Sequence, residues 1–338
     1  MARILYKMII GLAKEDNDKE YRVALIPSTV KKFCMDGHEV LFLKGSGEKA
    51  GYSDDEYVES GAKIVSFEDL FKLSKIIVKI NAFSKKELLL LDRNQWVVAN
   101  FDSYRNEDNL KNIKKNKVNA IALERLPRLS RVQDIDILSS QDNLSGYKAA
   151  LVALNMQNKA ASLMMTSAGT IYPLKAMVIG IGVTGLQAIA TLQRMGCIVW
   201  GVDIRKDVEE QVVSLGAKFI LSSSKNFLEE IKEAQIIITS ANSITSHPPK
   251  IIHNSMLREL SHGTIIVDTS GGNVEDIKAE SLVEFGNIKI VSSQYFASDI
   301  AYSASQLFSN NLYNFISRLD EIKKDEEVWS KISINELI

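Results

Sequence analysis

Two cysteines, four histidines and five prolines in 338 residues exclude several kinds of protein at once. Cys34 and Cys197 lie far apart and in no metal-like spacing. That rules out a disulfide scaffold and fits a reducing compartment, with both thiols buried as small apolar groups. Four histidines are few for a metal enzyme, and no metal site is expected. Nowhere does the chain run through about 18 consecutive apolar residues, so no membrane span is expected, and work at a membrane would be peripheral. Charge is balanced, with 41 basic against 42 acidic residues, which leaves no electrostatic footprint for nucleic acid. The N-terminus has no long apolar core followed by a small-residue cleavage site, and reads as the opening strand of a mature domain. Internal repeats and low-complexity tracts are missing too.

What is present is a soluble α/β pattern. Apolar residues make up 46% and charged residues 25%, and the length suits two domains. Short apolar runs such as Met8-Ile-Ile-Gly-Leu, Glu39-Val-Leu-Phe-Leu, Ile76-Ile-Val-Lys and Trp96-Val-Val-Ala-Asn alternate with helical stretches, of which Pro27 to Gly37 opens on proline and stops on glycine. Such alternation builds a parallel, doubly wound sheet. A helical pattern through Leu144, Tyr147, Ala150, Leu151 and Leu154 leads into a second set of strands, among them Ile236-Ile-Ile-Thr and Gly263-Thr-Ile-Ile-Val-Asp. The expectation is two doubly wound, Rossmann-like domains with a cleft between them. Residues 1–140 and 300–338 form the first, completed by a C-terminal helix over about 298–319, and residues 141–299 the second. The tail 320–338, with its charge run and single Trp, is expected to be a solvated helix or frayed end rather than a docking segment.

The second domain carries the most specific signal. Gly180-Ile-Gly182-Val-Thr-Gly185 follows the apolar run Ala176-Met-Val-Ile and opens the helical stretch beginning at Leu186. In such a turn the first glycine bends the chain, the second admits a pyrophosphate to backbone N–H groups, and the third packs helix on strand. Asp203 ends the next apolar run, Ile198-Val-Trp-Gly-Val-Asp, where a carboxylate can accept from the hydroxyls of an adenosine ribose. A 2′-phosphate would face that charge, which favours NAD over NADP. Arg205 nearby is a residue type that could accommodate the phosphate.

A second polar concentration lies at the boundary between the sheets. From Pro127 to Gln141 the sequence packs two arginines, two aspartates, two glutamines and three serines, a density that belongs at a surface or in a wet cleft. It reads either as a solvated connector or as part of a ligand site.

The run Arg128-Leu-Ser-Arg-Val-Gln133-Asp-Ile-Asp136-Ile-Leu-Ser139-Ser-Gln, then Asn143-Leu-Ser-Gly-Tyr-Lys-Ala, then Met164-Met-Thr-Ser-Ala-Gly-Thr-Ile-Tyr-Pro173, then the glycine turn and Val202-Asp-Ile-Arg205, resembles the NAD-binding first domain of proton-translocating nicotinamide nucleotide transhydrogenases. The start, with Gly11-Leu-Ala-Lys-Glu15, Arg22-Val-Ala-Leu-Ile-Pro27 and Gly45-Ser-Gly-Glu-Lys-Ala-Gly51, is similar to the same family and to alanine dehydrogenase, its soluble relative. The resemblance implies an alpha subunit that exchanges hydride between NAD(H) and NADP(H). Membrane and NADP-binding subunits on other chains would complete it, in a homodimer that is cytoplasmic and peripheral at the inner membrane. It also implies roles. Arg128, Gln133, Asp136 and Ser139 would set the nicotinamide ring, with Asp136 able to pair with Arg128. Gly180, Gly182, Val183, Gly185, Asp203, Ile204, Arg205, Ser240 and Ala241 would hold the cofactor.

Choice between the two branches rests on an absence. Alanine dehydrogenase resembles this chain at Arg22 and Lys79, which there would hold a substrate carboxylate, but it needs a catalytic His shortly after that Lys. The matching stretch Trp96-Val-Val-Ala-Asn-Phe-Asp-Ser has none, and the one earlier His, His38, suits a structural turn. Hydride transfer between two nicotinamides needs no such group. Two departures from the family stand out: residues 269–273 lack a longer acidic stretch before Gly271-Gly272, and the loop 240–249 lacks the usual glycine and arginine. They leave an amino acid dehydrogenase and a non-catalytic NAD-binding protein as the alternatives.

Overall fold

A computed structural model describes residues 7–104, 107–242 and 247–334. The chain forms two compact units, Met1–Gln141 with Ile300–Ile338, and Asp142–Asp299.

The first unit is built on a six-stranded sheet of β1 (Ile9–Leu12), β2 (Glu39–Phe42), β3 (Lys63–Ile64), β4 (Ile76–Asn81), β5 (Trp96–Asn100) and β6 (Asn119–Ala122), ordered β3-β2-β1-β4-β5-β6. Every pairing is parallel. Parallel strands are covered on both faces, which is why β4 is buried throughout except at its last residue. Its side chains divide by the two-residue period: Ile76, Val78 and Ile80 join one core with Phe33, Phe42 and Phe315, and Ile77 joins the other with Phe71 and Val97. The opening strand predicted at the N-terminus starts at Ile9, and residues 1–6 lie outside the described residues.

The C-terminal helix, Ala301–Ser317, belongs to this unit. Its buried serines are working parts, since Ser305 Oγ accepts from Val23 N–H (2.9 Å) and Ser309 Oγ from Ile26 N–H (3.0 Å). The tail is not frayed as expected. Helices Leu319–Ile322 and Glu326–Ile332 bury Ile322, Val328 and Ile332, Trp329 packs on Trp96 with ring centroids 5.6 Å apart, and Ser333 bridges to Ile121. The apolar residues that do this are spaced among charges, so the segment reads as polar in sequence although one face is core. Within the described residues the tail is docked.

The second unit carries β7 (Met164–Thr166) and β8 (Gly169–Ile171) as a separate hairpin, and β9 (Lys175–Ile179), β10 (Ile198–Asp203), β11 (Lys218–Leu221), β12 (Ile236–Thr239), β13 (Ile265–Asp268), β14 (Ser281–Phe285) and β15 (Ile288–Ser292) in one sheet. The order is β11-β10-β9-β12-β13-β15-β14, parallel except for the edge strand β14. β12 and β13 are buried at every position, as their unbroken apolar runs require. Helix Ile137–Met156 reaches the helix Val183–Arg194 through Gly146, where a Cβ would stand 2.1 Å from Thr184 O. Only glycine allows that approach.

In both sheets the chain runs to one side of its first strand and then returns to the other. The reversal falls between β1 and β4 in the first unit, and between β9 and β12 in the second. Ligands in open α/β sheets bind beyond the carboxyl ends of strands at such a point.

Candidate functional site

The second unit's reversal point is where the glycine turn lies. Gly180 leaves β9 with φ of +93°, a conformation that a Cβ would strain, and a Cβ there would stand 2.6 Å from Ala241 N. Gly185 is equally obligate, because a Cβ would stand 2.0 Å from Gly180 O. Gly182 differs. A Cβ on it would meet nothing within 4 Å, so this glycine opens a concavity instead of filling one. It caps the helix Val183–Arg194, which has no acidic residue in its first turn and no side-chain cap. The first intrahelical bond is Leu186 N–H to Gly182 O (2.9 Å), so the N–H groups of Val183, Thr184 and Gly185 are left at the positive end of the helix. An anion fits there.

Asp203 ends β10 and is 7% exposed. Its Oδ2 accepts from Ile181 N–H (2.7 Å), which ties the strand end to the glycine turn. Arg205 closes the other side: its backbone N–H and Nε donate to Oδ1 (2.9 and 3.0 Å), and Nη2 donates to Oδ2 and to Ile181 O (3.1 and 3.0 Å). Burial pushes this carboxyl up, but the Arg205 guanidinium and the two N–H groups outweigh it and hold Asp203 below its ordinary value. It is ionised near neutrality. Ile204 is the exposed residue between them, at 81%. Ser240 and Ala241 follow β12, and Ser240 Oγ donates to Gly180 O (2.7 Å). Residues 243–246 of the loop expected to border the cofactor lie outside the described residues.

The polar segment 128–139 belongs to the first unit. Ser130–Ile135 is a short 3-10 turn, with Arg128 and Gln133 exposed. Asp136 does not hold Arg128 as expected. Its oxygens accept from Ser139 N–H (2.9 Å) and Ser139 Oγ (2.6 Å), so the carboxylate caps the helix Ile137–Met156, and a helix start has the stronger local claim on an Asp. The turn itself is anchored to the tail. Arg318 pairs with Asp134 (2.7 Å), and Arg131 pairs with Asp325 (2.8 Å) and with Glu327.

The first unit's reversal point holds a network that sequence patterns alone did not assemble. Lys79, on β4, is fully buried and donates to both oxygens of Glu87 (3.1 Å each) and to Asp16 Oδ1 (2.8 Å). Arg22 donates to Glu20 through Nε and Nη2 (2.7 Å each) and to Gln141 Oε1 (2.8 Å). Glu15 accepts from Ile80 N–H (2.6 Å) and from Asn81 Nδ2 (3.1 Å), and burial pushes its carboxyl up to about 7 against the pull of Lys79. Glu20 goes the other way: burial is outweighed by Arg22 and Asn81, and its carboxyl sits low. Both cations are thus matched by carboxylates of this chain.

Family models match nearly the whole sequence. Residues 11–145 match the alanine dehydrogenase/PNT N-terminal domain and residues 149–337 the corresponding C-terminal domain. The first of the separate chains that make up the NAD(P) transhydrogenase alpha subunit of Rickettsia prowazekii is 36% identical, over 92% of this chain and 89% of its own length. A crystal structure of transhydrogenase from Sinorhizobium meliloti, 35% identical, superposes with a TM-score of 0.89 over 96% of each chain. An L-alanine dehydrogenase structure shares the fold, with a TM-score of 0.83 over 96% of this chain and 94% of its own, at 22% identity. With the fingerprint turn, the absent histidine and these likenesses taken together, the chain belongs to the alanine dehydrogenase/PNT family, on the branch of the NAD(P) transhydrogenase alpha subunits.

Proposed function

We propose that this chain binds NAD(H) at the 180–185 turn and exchanges hydride with NADP(H) held by a partner subunit. One observation carries the reading: an open Gly182 cradle at a helix N-terminus stands beside a strand-end carboxylate fixed by the same turn. Gly180, Gly182, Val183 and Gly185 would surround the pyrophosphate, and Asp203 would accept from the adenosine ribose, flanked by Ile204 and Arg205. Ser240 and Ala241 line the opposite strand end. When bound, the nicotinamide supplies the hydride chemistry. The chain's task is to orient the reactive carbon and exclude water. Arg128, Gln133, Asp136 and Ser139 are proposed to orient the ring, with Gln133 and Arg128 offering exposed polar groups from a turn that Asp136 and the tail hold in place.

Membrane partner subunits would couple the exchange to proton movement. No helix among the described residues is long and apolar enough to cross a membrane. A second copy of the chain is also part of the proposal. The β7–β8 hairpin is exposed at all six strand positions, and Met165 and Tyr172 are 76% and 78% exposed, an apolar ribbon that two strands alone would stabilise poorly.

Oxidation of an amino acid is the lesser reading. Arg22 and Lys79, the residues that would receive its carboxylate, are engaged by Glu20, Glu87 and Asp16, and no catalytic His stands at the matching position. Incubation with NAD and alanine, or with NADH, pyruvate and ammonia, tests the choice. No turnover is expected, and turnover in either direction would overturn the proposal.

A further inference from the structure

Beside the glycine turn, the second unit buries a polar cluster to which none of the roles above is attached. Asp268, last residue of β13, is 1% exposed. Its Oδ1 accepts from Thr239 Oγ1 (3.2 Å), Ser270 N–H (3.0 Å) and Ser270 Oγ (2.7 Å). Its Oδ2 accepts from Asn273 N–H (3.0 Å) and Ser292 Oγ (3.3 Å). One carboxylate therefore gathers the ends of β12, β13 and β15 and folds the short 269–273 turn back on them, with Gly271 at φ of +73°.

That turn delivers Asn273, which is fully buried. Its Nδ2 donates to Ala241 O and to Pro249 O (2.8 Å each), so one amide holds both ends of the loop that follows β12. Its Oδ1 has no donor. A buried acceptor left unpaired is costly, and an apolar side chain would avoid that cost but could not make the two bonds. The residue so held is Ala241, whose N is the atom that a Cβ on Gly180 would strike.

We propose that Asn273, oriented by Asp268, is a positioning residue of the dinucleotide site. It fixes Ala241 against Gly180 and so sets the width of the concavity at Gly182. The compact 269–273 turn, which departs from the family pattern, is the means of delivering it. The inference rests on NAD(H) binding at the glycine turn.

Fluorescence titration with NADH tests it, with thermal unfolding of the same samples as a second readout. Asn273→Ala is expected to raise the NADH dissociation constant about tenfold, the loss of two buried hydrogen bonds at the site wall. Thr264→Val is the control. Thr264 is fully buried at the other end of β13, where Oγ1 donates to Ala234 O (2.9 Å) and Ser261 O (2.8 Å). It should lower the unfolding temperature as Asn273→Ala does and leave NADH affinity at the wild-type value. Wild-type affinity in folded Asn273→Ala, or equal weakening in Thr264→Val, would overturn the positioning role. If Asn273→Ala does not fold, Asn273→Ser carries the same expectation with a smaller shift, and wild-type affinity in it would also overturn the role. Failure of the wild-type chain to bind NADH is a different result, and it would remove the proposed function itself.

Discussion

Asp203 and Arg205 carry the chemistry of the site at the scale of single residues. The carboxylate is ionised and already shares its oxygens with Ile181 N–H and the Arg205 side chain, so a ribose must take over the bonds that Arg205 now makes. Hydrogen bonds to a charged group contribute about 1.5–3 kcal/mol. Asp203→Ala is therefore expected to weaken NADH binding by about ten- to a hundredfold in a calorimetric titration, and unchanged affinity would remove Asp203 from the site. NADPH should bind wild type far less well than NADH, and Arg205→Ala should widen the gap by removing the cation paired with Asp203. A narrower gap would mean that the guanidinium repels rather than admits the 2′-phosphate. Gln133→Asn and Arg128→Ala act elsewhere: they should leave NADH affinity near wild type and slow hydride transfer, because a displacement of about 1 Å at the reacting atoms can cost on the order of 100-fold.

Secondary-structure elements are legible in the sequence where local signals agree and illegible where burial depends on distant partners. Phe67–Leu73 and Trp96–Asn100 stand at the predicted bounds because a serine cap or an unbroken apolar run marks each end. The helix Ile137–Met156 starts six residues before the predicted pattern, since its cap, Asp136, reads in sequence as a member of a cofactor loop. The edge strand β14 escapes a search for apolar runs, because it alternates half-buried and exposed residues. For the tail the partner decides: Val328 and Ile332 find their core only once Trp96 and Ile121 are brought to them. Ile332→Ala should therefore cost about 2–5 kcal/mol in urea unfolding, as for other buried aliphatic residues, whereas a frayed end would give no change. The cluster of Asp268 and Asn273 shows the same limit at the site. An Asp closing an apolar strand before small turn residues is its only sequence signal, and the residues it joins come from three strands. Charges placed on the hairpin by Met165→Asp with Tyr172→Asp should convert a dimer to a monomer in sedimentation velocity; a wild-type chain that is already monomeric contradicts that element's proposed role.

For the whole molecule, the two sheet reversals have opposite characters. The second unit's is open, with a concavity at Gly182, while the first unit's is filled by its own ion pairs. The filled one makes stability depend on pH. Glu15 titrates near 7 in the folded chain and near 4.5 when unfolded, so the folded form holds the extra proton between those values, and this stabilisation is present below about 4.5 and lost as pH rises through 7. Glu20, lowered by Arg22, adds stability above its unfolded value and loses it as pH falls. Glu15→Gln should leave the chain more stable relative to wild type at pH 8 than at pH 5, seen in unfolding midpoints, and an equal difference at both would contradict the assignment. The proposed task of the open reversal is to hold NAD(H) for exchange with a nicotinamide on another subunit. The direct test mixes this chain with an NADP-binding transhydrogenase domain, NADPH and the acetylpyridine analogue of NAD, and follows reduction of the analogue. Transfer that requires both proteins and falls with Asp203→Ala is the expected result; no transfer from a chain that binds NADH, together with oxidation of alanine, would contradict it.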